Sequence, residues 1–371
     1  MRLSVVFVHY RTPELARRAV ESVVADAARS ALDVEILLVD NGSDAAGREL
    51  LAALPVTLLE PGANLGFAGG VNLGARQAAG EALLLANPDL ELLPGALSAL
   101  AGALAAGAAA AGPRFFWDRE RRYLLPPAER RDRASVLAAA LARRGGGLAH
   151  RARARWRRHA RRHWQAVEAV ASHHLSGALV AVSRDAWDRV GPFDPGYPLY
   201  FEETDWLRRL HRLGLVAVHQ PRAEVVHHYN RSAGGEPRAP DWYAESARRF
   251  AERWYGPLFR RLAAAAGDST PAPPWPPSVD GPPALDLPPT RRPLWVELSP
   301  SPLGFPAVAE RLPAGIGRWV LPDNIWRRLD TGRWRATVCD EAGRELAAVS
   351  FERPPQLDGP PLDGPPAAEE G

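Results

Sequence analysis

Ala82-Leu83-Leu84-Leu85-Ala86, followed at once by Asn87-Pro88-Asp89, is the stretch on which the reading of this chain turns. Five apolar residues run without alternation and stop at a turn, the pattern of a strand buried on both faces of a parallel sheet. Upstream, residues 3–8, 34–39 and 56–59 repeat that pattern. Helix-like segments lie between them. One has Thr12 placed as N-cap and Pro13 at the first helical position, with Leu15, Ala19, Val20 and Val23 on one side. Another spans about 71–79 and stops at Gly80. This alternation predicts an α/β fold with a doubly wound, mostly parallel, Rossmann-like sheet that binds ligands over the carboxyl ends of its strands.

The chain has 371 residues, 46% hydrophobic and 24% charged, enough to bury a sizeable core and inconsistent with a disordered chain or a small disulfide scaffold. Its one cysteine, Cys339, leaves no intramolecular disulfide and no cysteine cluster for zinc, which favours a reducing, cytoplasmic setting. All 46 basic residues other than histidine are arginines, yet the net charge is only +3. The first apolar stretch is too short for a signal-peptide core and reads as a buried strand. Residues 92–112 are uncharged and of spanning length, but they are rich in alanine and glycine and carry Pro94 and Gly95 at their start, which predicts a soluble helix beginning at Pro94.

Farther along, residues 167–182 read as sheet and 203–213 as a helix closed by Gly214. Residues 1–262 form one expected domain, with an arginine-rich variable insert at 119–165. A proline-rich linker is expected at 263–293. A small β module follows at 294–353, with strands near 294–297, 317–321, 334–338 and 345–351 and a turn at Glu341-Ala342-Gly343. Its tryptophans, Trp295, Trp319, Trp326 and Trp334, fit a core better than a glycan-stacking surface. The tail, 354–371, repeats Leu-Asp-Gly-Pro-Pro and is expected to be disordered.

Chemistry-bearing residues collect where the amino-terminal strands end. Tyr10 follows the first strand and can stack on a base; Asp40, Asn41 and Gly42 follow the second, where an acid can accept hydrogen bonds from a ribose, although the triplet also reads as a turn. Asn87 and Asp89 are two apart, so on an extended segment both face one side and can share a hard cation such as Mg2+ or Mn2+; the alternative is an Asn-Pro-Asp turn. The run from Asn64 to Asn72 is glycine-rich and leads into a helix, so its backbone can approach a phosphate or sugar, but no Gly-Lys-Ser/Thr follows and it is not a P-loop. In Tyr200-Phe201-Glu202-Glu203-Thr204-Asp205-Trp206 three carboxylates crowd a helix start. The helix dipole favours acids there, and repulsion among them beside aromatic rings raises a pKa as a general base requires. His227 and His228 end a short apolar run as metal ligands or as satisfied strand histidines.

In order along the chain, Ser4 to Tyr10, Leu38 to Ser43, Asn64 to Gly70, Leu84 to Asp89, Leu175 to Ala178, Val190 to Asp194 and Phe201 to Trp206 resemble the family-2 inverting glycosyltransferases of GT-A fold, especially the rhamnosyltransferase-like branch. The resemblance covers about residues 1–256 and rests on the order of seven motifs. It implies transfer of a sugar from a nucleotide-diphosphate donor, dTDP- or UDP-linked, to an acceptor hydroxyl on a glycan or lipid-linked carrier in cell-surface polysaccharide or glycolipid synthesis. Tyr10 and Asp40 would hold base and ribose, and Asn64, Gly66, Phe67 and Ala68 the nucleotide or diphosphate, with Asn87 beside them. Asn87 and Asp89 stand where the family has Asp-x-Asp, with His227 completing the shell of Mg2+ or Mn2+. Glu203 falls at the base position, with Asp205 and Glu202 as fallbacks. Two departures matter: Asn87 is a neutral ligand where the family has an aspartate, and Glu203 is one methylene longer than the usual base.

Arg151, Arg153, Arg155, Arg157, Arg158, Arg161 and Arg162, with Trp156 and Trp164, form either a solvated helix or a surface for anionic lipid at the inner face of the cell membrane. No nucleic-acid partner is expected, since no reader motif accompanies the charge. The reading from a different class is a silent glycan- or nucleotide-sugar-binding protein on the same fold.

Overall fold

The computed structural model describes residues 1–228, 237–267 and 274–355, which form two compact units. The expected disordered tail lies almost wholly outside the described residues. The first unit comprises residues 1–140 and 159–268, the second residues 141–158 and 269–371.

The first unit opens with β1 (Leu3–His9), α1 (Pro13–Ser30), β2 (Val34–Asp40), α2 (Ala45–Ala52), β3 (Thr57–Leu59), α3 (Gly66–Gln77) and β4 (Ala82–Ala86). β5 (Leu90–Leu92), α4 (Ala96–Ala105), β6 (Ala110–Phe116), β7 (Tyr123–Leu124) and α5 (Arg133–Ala142) follow. The long α6 (Gly146–Trp164) begins in the second unit and ends in the first. β8 (Val170–Ala171), β9 (Leu179–Ser183), α7 (Arg184–Val190), α8 (Glu202–Arg212), β10 (Ala217–His227), α9 (Ala239–Trp254) and α10 (Pro257–Gly267) complete it.

β3, β2, β1 and β4 lie side by side in parallel; β9 joins antiparallel to β4 and carries β6, which pairs in parallel with β10. This is the expected mixed α/β sheet, mostly parallel. Continuous apolar runs arise because both faces are covered. Val5, Phe7, Leu38 and Leu84 pack with α1 and α4, and Val6, Val8, Leu37, Leu83 and Leu85 pack with α3 and α8.

Three local expectations change. α3 starts at Gly66, five residues early, because Gly70 and Gly74 let it lie against β1: a Cβ at Gly70 would sit 2.7 Å from Val8 Cγ1, and one at Gly74 2.3 Å from Val6 Cγ1. These glycines let the helix pack on β1. Thr12 precedes α1 without capping it through its side chain; its Oγ1 meets His9 Nδ1 at 3.3 Å. α4 begins after Pro94, where buried Asp26 of α1 accepts from Gly95 N at 2.6 Å and Leu97 N at 2.8 Å. Among the described residues no helix is long and apolar enough to cross a membrane.

In the second unit, β11 (Ser278–Val279), β12 (Ala284–Asp286), β13 (Leu294–Ser299), β14 (Val308–Leu312), β15 (Arg318–Val320), α11 (Asp323–Trp326), β16 (Gly332–Asp340) and β17 (Glu345–Arg353) form two sheets. One runs β11-β17-β16-β13-β14; β12 pairs with β15 in the other. The proline-rich stretch is therefore no bare linker beyond residue 273: β11 adds to β17, and Leu285 and Leu287 are buried. Trp295, Trp319 and Trp334 are core residues, as preferred from sequence.

The arginine-rich insert also reads differently in three dimensions. Arg157, 3% exposed at its side chain, donates through Nε to both oxygens of Glu297, 1% exposed, at 3.0 and 2.8 Å, and through Nη1 to Gly343 O. Arg153 donates to Leu303 O at 2.7 Å and to Glu345 at 2.9 Å. In the first unit Arg161 and Trp164 are buried, Trp164 donating to Leu125 O. These groups face protein partners, so they do not form the lipid surface expected of them; Arg151, Arg158 and Arg162 are exposed. Breaking a buried pair from one side leaves an uncompensated charge in a dry site. Arg157→Ala is expected to cost about 3–5 kcal/mol of the second unit's stability, against little change for Arg158→Ala, both read by urea denaturation.

Candidate functional site

The carboxyl ends of β1 and β2 build one wall. His9 is fully buried, its Nε2 2.9 Å from Ser43 Oγ and 3.9 Å from Asp40 Oδ1; burial lowers its pKa, and Asp40 opposes that shift. Asp40 Oδ1 accepts from Gly42 N, Ser43 N and Ser43 Oγ at 2.9–3.0 Å, so the turn reading holds, and the turn fixes the carboxylate at the strand end. The Tyr10 ring lies over Gly42, where a Cβ would come within 3.6 Å of it. The Arg11 guanidinium sits 5.0 Å from that ring's centre. Arg11 itself adopts φ 56°, a left-handed conformation uncommon outside glycine.

Asn41 was legible only as part of a turn, and its role is larger. Its Nδ2 donates to Gly66 O at 3.1 Å and its Oδ1 accepts from Leu65 N at 3.2 Å, clamping the Asn64–Gly66 segment to the end of β2. Asn64 Oδ1 accepts from Gly66 N at 2.8 Å; Ala68 is buried and Phe67 half-buried. Buried Asn72 makes a second clamp, donating to Phe193 O and accepting from Phe193 N, both at 2.9 Å. It ties α3 to the segment that leads into α8. A Cβ on Gly66 would stand 3.4 Å from Pro198 O, so the two segments nearly touch.

The second wall is the β4–β5 turn. The β4–β9 ladder continues one step beyond Ala86, with Asn87 N donating to Ala178 O at 2.8 Å. Asp89 is fully buried, and antiparallel pairing of β10 with β5 brings the end of β10 to it, with His228 N donating to Asp89 O at 2.9 Å. The two histidines then diverge. His227 Nε2 lies 3.4 Å from Asp89 Oδ1, while His228 Nε2 lies 2.8 Å from Glu91 Oε1. Glu91 also accepts from Arg119 Nε. Burial would raise the Glu91 pKa, but bonding to His228 and Arg119 holds it below the usual range. His228 thus bonds to Glu91, whereas His227 faces Asp89.

Among the described residues no three His, Cys, Asp or Glu side chains form a closed metal cage. One carboxylate with an imidazole nonetheless fits a hard, divalent ion that keeps several positions for substrate oxygens, since such ions are held by one or two carboxylates plus phosphates. The residues present therefore suit Mg2+ or Mn2+.

The third wall is the start of α8. Tyr200 and Phe201 have φ 66° and 71°, two consecutive left-handed residues that are not glycine, each storing about 1–3 kcal/mol of strain. Behind them Glu202 is 4% exposed, and Oε2 has no hydrogen-bond partner among the described residues. Burial, then the charge of Glu203, push its pKa well above the carboxylate range. Burial likewise raises Glu203, with bonds from the backbone and Thr204 opposing it. A Cβ on Gly177 would sit 3.1 Å from the Glu203 carboxyl carbon; only glycine leaves that space. Asn87 therefore reaches Glu203 through Ala178 and Gly177.

Asp205 is differently employed. It is fully buried, accepts from Tyr197 Oη, Trp254 Nε1 and Arg209 Nε, and lies 3.2 Å from Arg253 Nη1, a set that anchors α8 to α9. Asp194 holds Arg249 and Arg253 of α9 in the same way. A cavity of about 30 Å³, lined by Phe115, His163, His174, Ser176 and His219 among others, has room for one or two waters and not for a sugar.

The family model "Glycosyl transferase family 2" matches residues 4–190. Over 63 residues the chain is 43% identical to N-acetylglucosaminyl-diphospho-decaprenol L-rhamnosyltransferase of Mycobacterium tuberculosis, alike in two strains, covering 17% of this chain and 20% of that protein. The match thus spans about a fifth of the length of these curated relatives. Among solved structures, the mannosyltransferase PcManGT from Pyrobaculum calidifontis in complex with GDP-Man and Mn2+ is similar at 18% identity and a TM-score of 0.42, covering 71% of this chain and 73% of that one.

Proposed function

The chain belongs to glycosyl transferase family 2, and from that premise we propose that it transfers a sugar from a nucleotide-diphosphate donor to an acceptor hydroxyl, with inversion at the anomeric carbon. The observation that carries this reading is the meeting of the three walls: Asn41 clamps the donor loop, the Asn87 backbone bonds to Ala178 next to the Gly177 under Glu203, and His227 faces Asp89. Tyr10 and Asp40 hold base and ribose, and the Asn64 to Ala68 segment lies along the nucleotide or diphosphate. Asp89 and His227, with Asn87 beside them, would hold Mg2+ or Mn2+. When bound, the ion offsets charge building on the departing diphosphate.

Glu203 takes the proton from the acceptor hydroxyl as the oxygen attacks the anomeric carbon from the face opposite the leaving group, which is why configuration inverts. Its raised pKa suits that task, because a base titrating nearer the working pH has more driving force to accept the proton. Glu202, held protonated more firmly by burial, is the weaker candidate, and Asp205 is committed to α9. The acceptor is a glycan or lipid-linked sugar made for the cell surface; the name of the mycobacterial relative pairs rhamnose transfer with such a carrier in that protein. A dTDP- or UDP-linked donor and action at the cytoplasmic face of the membrane complete the proposal.

Thermal-shift titration tests donor binding. A ligand that binds only the folded state at a hundred times its Kd stabilises by about 2.7 kcal/mol. A nucleotide sugar with Mn2+ is expected to raise Tm by several degrees, and EDTA or Asp40→Ala to remove most of the rise. No shift with UDP-, dTDP- or GDP-sugars would overturn the donor assignment.

A further inference from the structure

Two aromatic rings beside the carboxylates have no part in the chemistry above. Tyr200 is 38% exposed and Tyr243, on α9, 41% exposed; their ring centres are 5.8 Å apart at 66°. Single exposed rings are ordinary on protein surfaces. This pair is built: Phe201, 5% exposed, packs 5.4 Å from the Tyr243 ring and under the Arg131 guanidinium at 4.8 Å, while Arg131 Nη2 donates to Tyr243 Oη at 2.9 Å. With Phe201 drawn inward, the left-handed backbone at 200 and 201 holds Tyr200 outward.

Tyr200 and Phe201 directly precede Glu202 and Glu203 at the start of α8, and Tyr243 packs on Tyr200, so both rings stand at the third wall. After burial, Asp89, Glu202, Tyr243 and Glu203 raise the Tyr200 hydroxyl pKa, in that order, so Tyr200 stands among the carboxylates of two walls. The nucleotide end belongs to Tyr10, across the site. An acceptor hydroxyl within hydrogen-bond reach of Glu203 has the remainder of its molecule extending outward, over Tyr200 and Tyr243. A pyranose presents a face of C–H groups ringed by hydroxyls, which suits tyrosine, apolar on its face and polar at its tip.

Resting on the transferase reading, we propose that Tyr200 and Tyr243 form the platform on which the sugar ring of the acceptor stacks, so that the accepting hydroxyl is carried by a glycan or glycosylated carrier rather than by a bare alcohol. Saturation-transfer NMR with methyl pyranosides and p-nitrophenyl glycosides, in the presence of Mg2+ and UDP, tests it. Ring protons of at least one glycoside are expected to receive saturation from the wild type and from Tyr200→Phe. Its affinity is expected to fall about tenfold in Tyr200→Ala and in Tyr243→Ala, while the Tm rise with nucleotide sugar persists and shows the donor site folded. Unchanged affinity in both alanine variants overturns the platform, as does Tyr200→Phe behaving like Tyr200→Ala. Turnover that still needs Asp89 and Glu203 would then leave the transferase reading standing. No glycoside binding to the wild type also overturns the platform, whereas absence of any donor binding would take both down.

Discussion

Glu203→Gln is expected to lower sugar transfer by about 10²–10⁴-fold, the usual contribution of a positioned general base, with donor binding retained. Glutamine keeps the shape that fits over Gly177 but cannot accept the acceptor proton. In the wild type, turnover falls as pH drops through the raised pKa of this carboxyl, because the protonated form is no base; the variant's residual activity loses that limb. Stability runs the other way. A carboxyl whose pKa is raised in the fold keeps a proton that the unfolded chain releases near pH 4.3. Its contribution is therefore complete below that value and is lost as pH rises through the folded pKa. Glu203→Gln is expected to match or exceed the wild type in Tm at neutral pH while losing turnover, a combination that misfolding cannot produce. Turnover within threefold of wild type would remove Glu203 from the mechanism.

Asp89→Ala carries the second large effect, on the order of a thousandfold in turnover, since on the proposed assignment it removes the anionic ligand of an ion that would stabilise the departing diphosphate. His227→Ala keeps the carboxylate and is expected to lose less. Titration with Mn2+, read by turnover and by the Tm rise with nucleotide sugar, should require far more metal in Asp89→Ala than in the wild type. Equal metal dependence in both proteins would refute the assignment of Asp89.

The four amino-terminal strands were legible because burial on both faces leaves no alternation: 82–86 was read to the residue and the other three to within one, whereas β6 was not read as a strand and β9 only as part of a longer sheet run. The residues at the strand ends could be named for a related reason, since their positions follow directly from where the strands stop. Glycine was less transparent. Gly70 was read as part of a glycine-rich loop, but with Gly74 it lies on one helix face against Val8 and Val6, a use that depends on what lies opposite. Asp205 and Glu203 could not be ranked in one dimension either, because the partners that occupy Asp205 come from Trp254 and Arg253, about fifty residues on.

The arginines of α6 show the same limit at larger scale. Charge composition reads Arg153 and Arg157 as solvated or membrane-facing, whereas Glu297 and Glu345, well over a hundred positions away, neutralise them inside the second unit. The proline-rich stretch likewise hid β11 and β12, whose hydrogen bonds go to β17 and β15. The order of residues alone determined the alternating α/β framework and the types of group at its strand ends, because hydrophobic periodicity and turn chemistry act over neighbouring positions. Tertiary structure decided which carboxylate is spare, which histidine faces Asp89 and which arginines are buried, because the fate of a charged or polar side chain is set by partners that only folding brings within bonding distance.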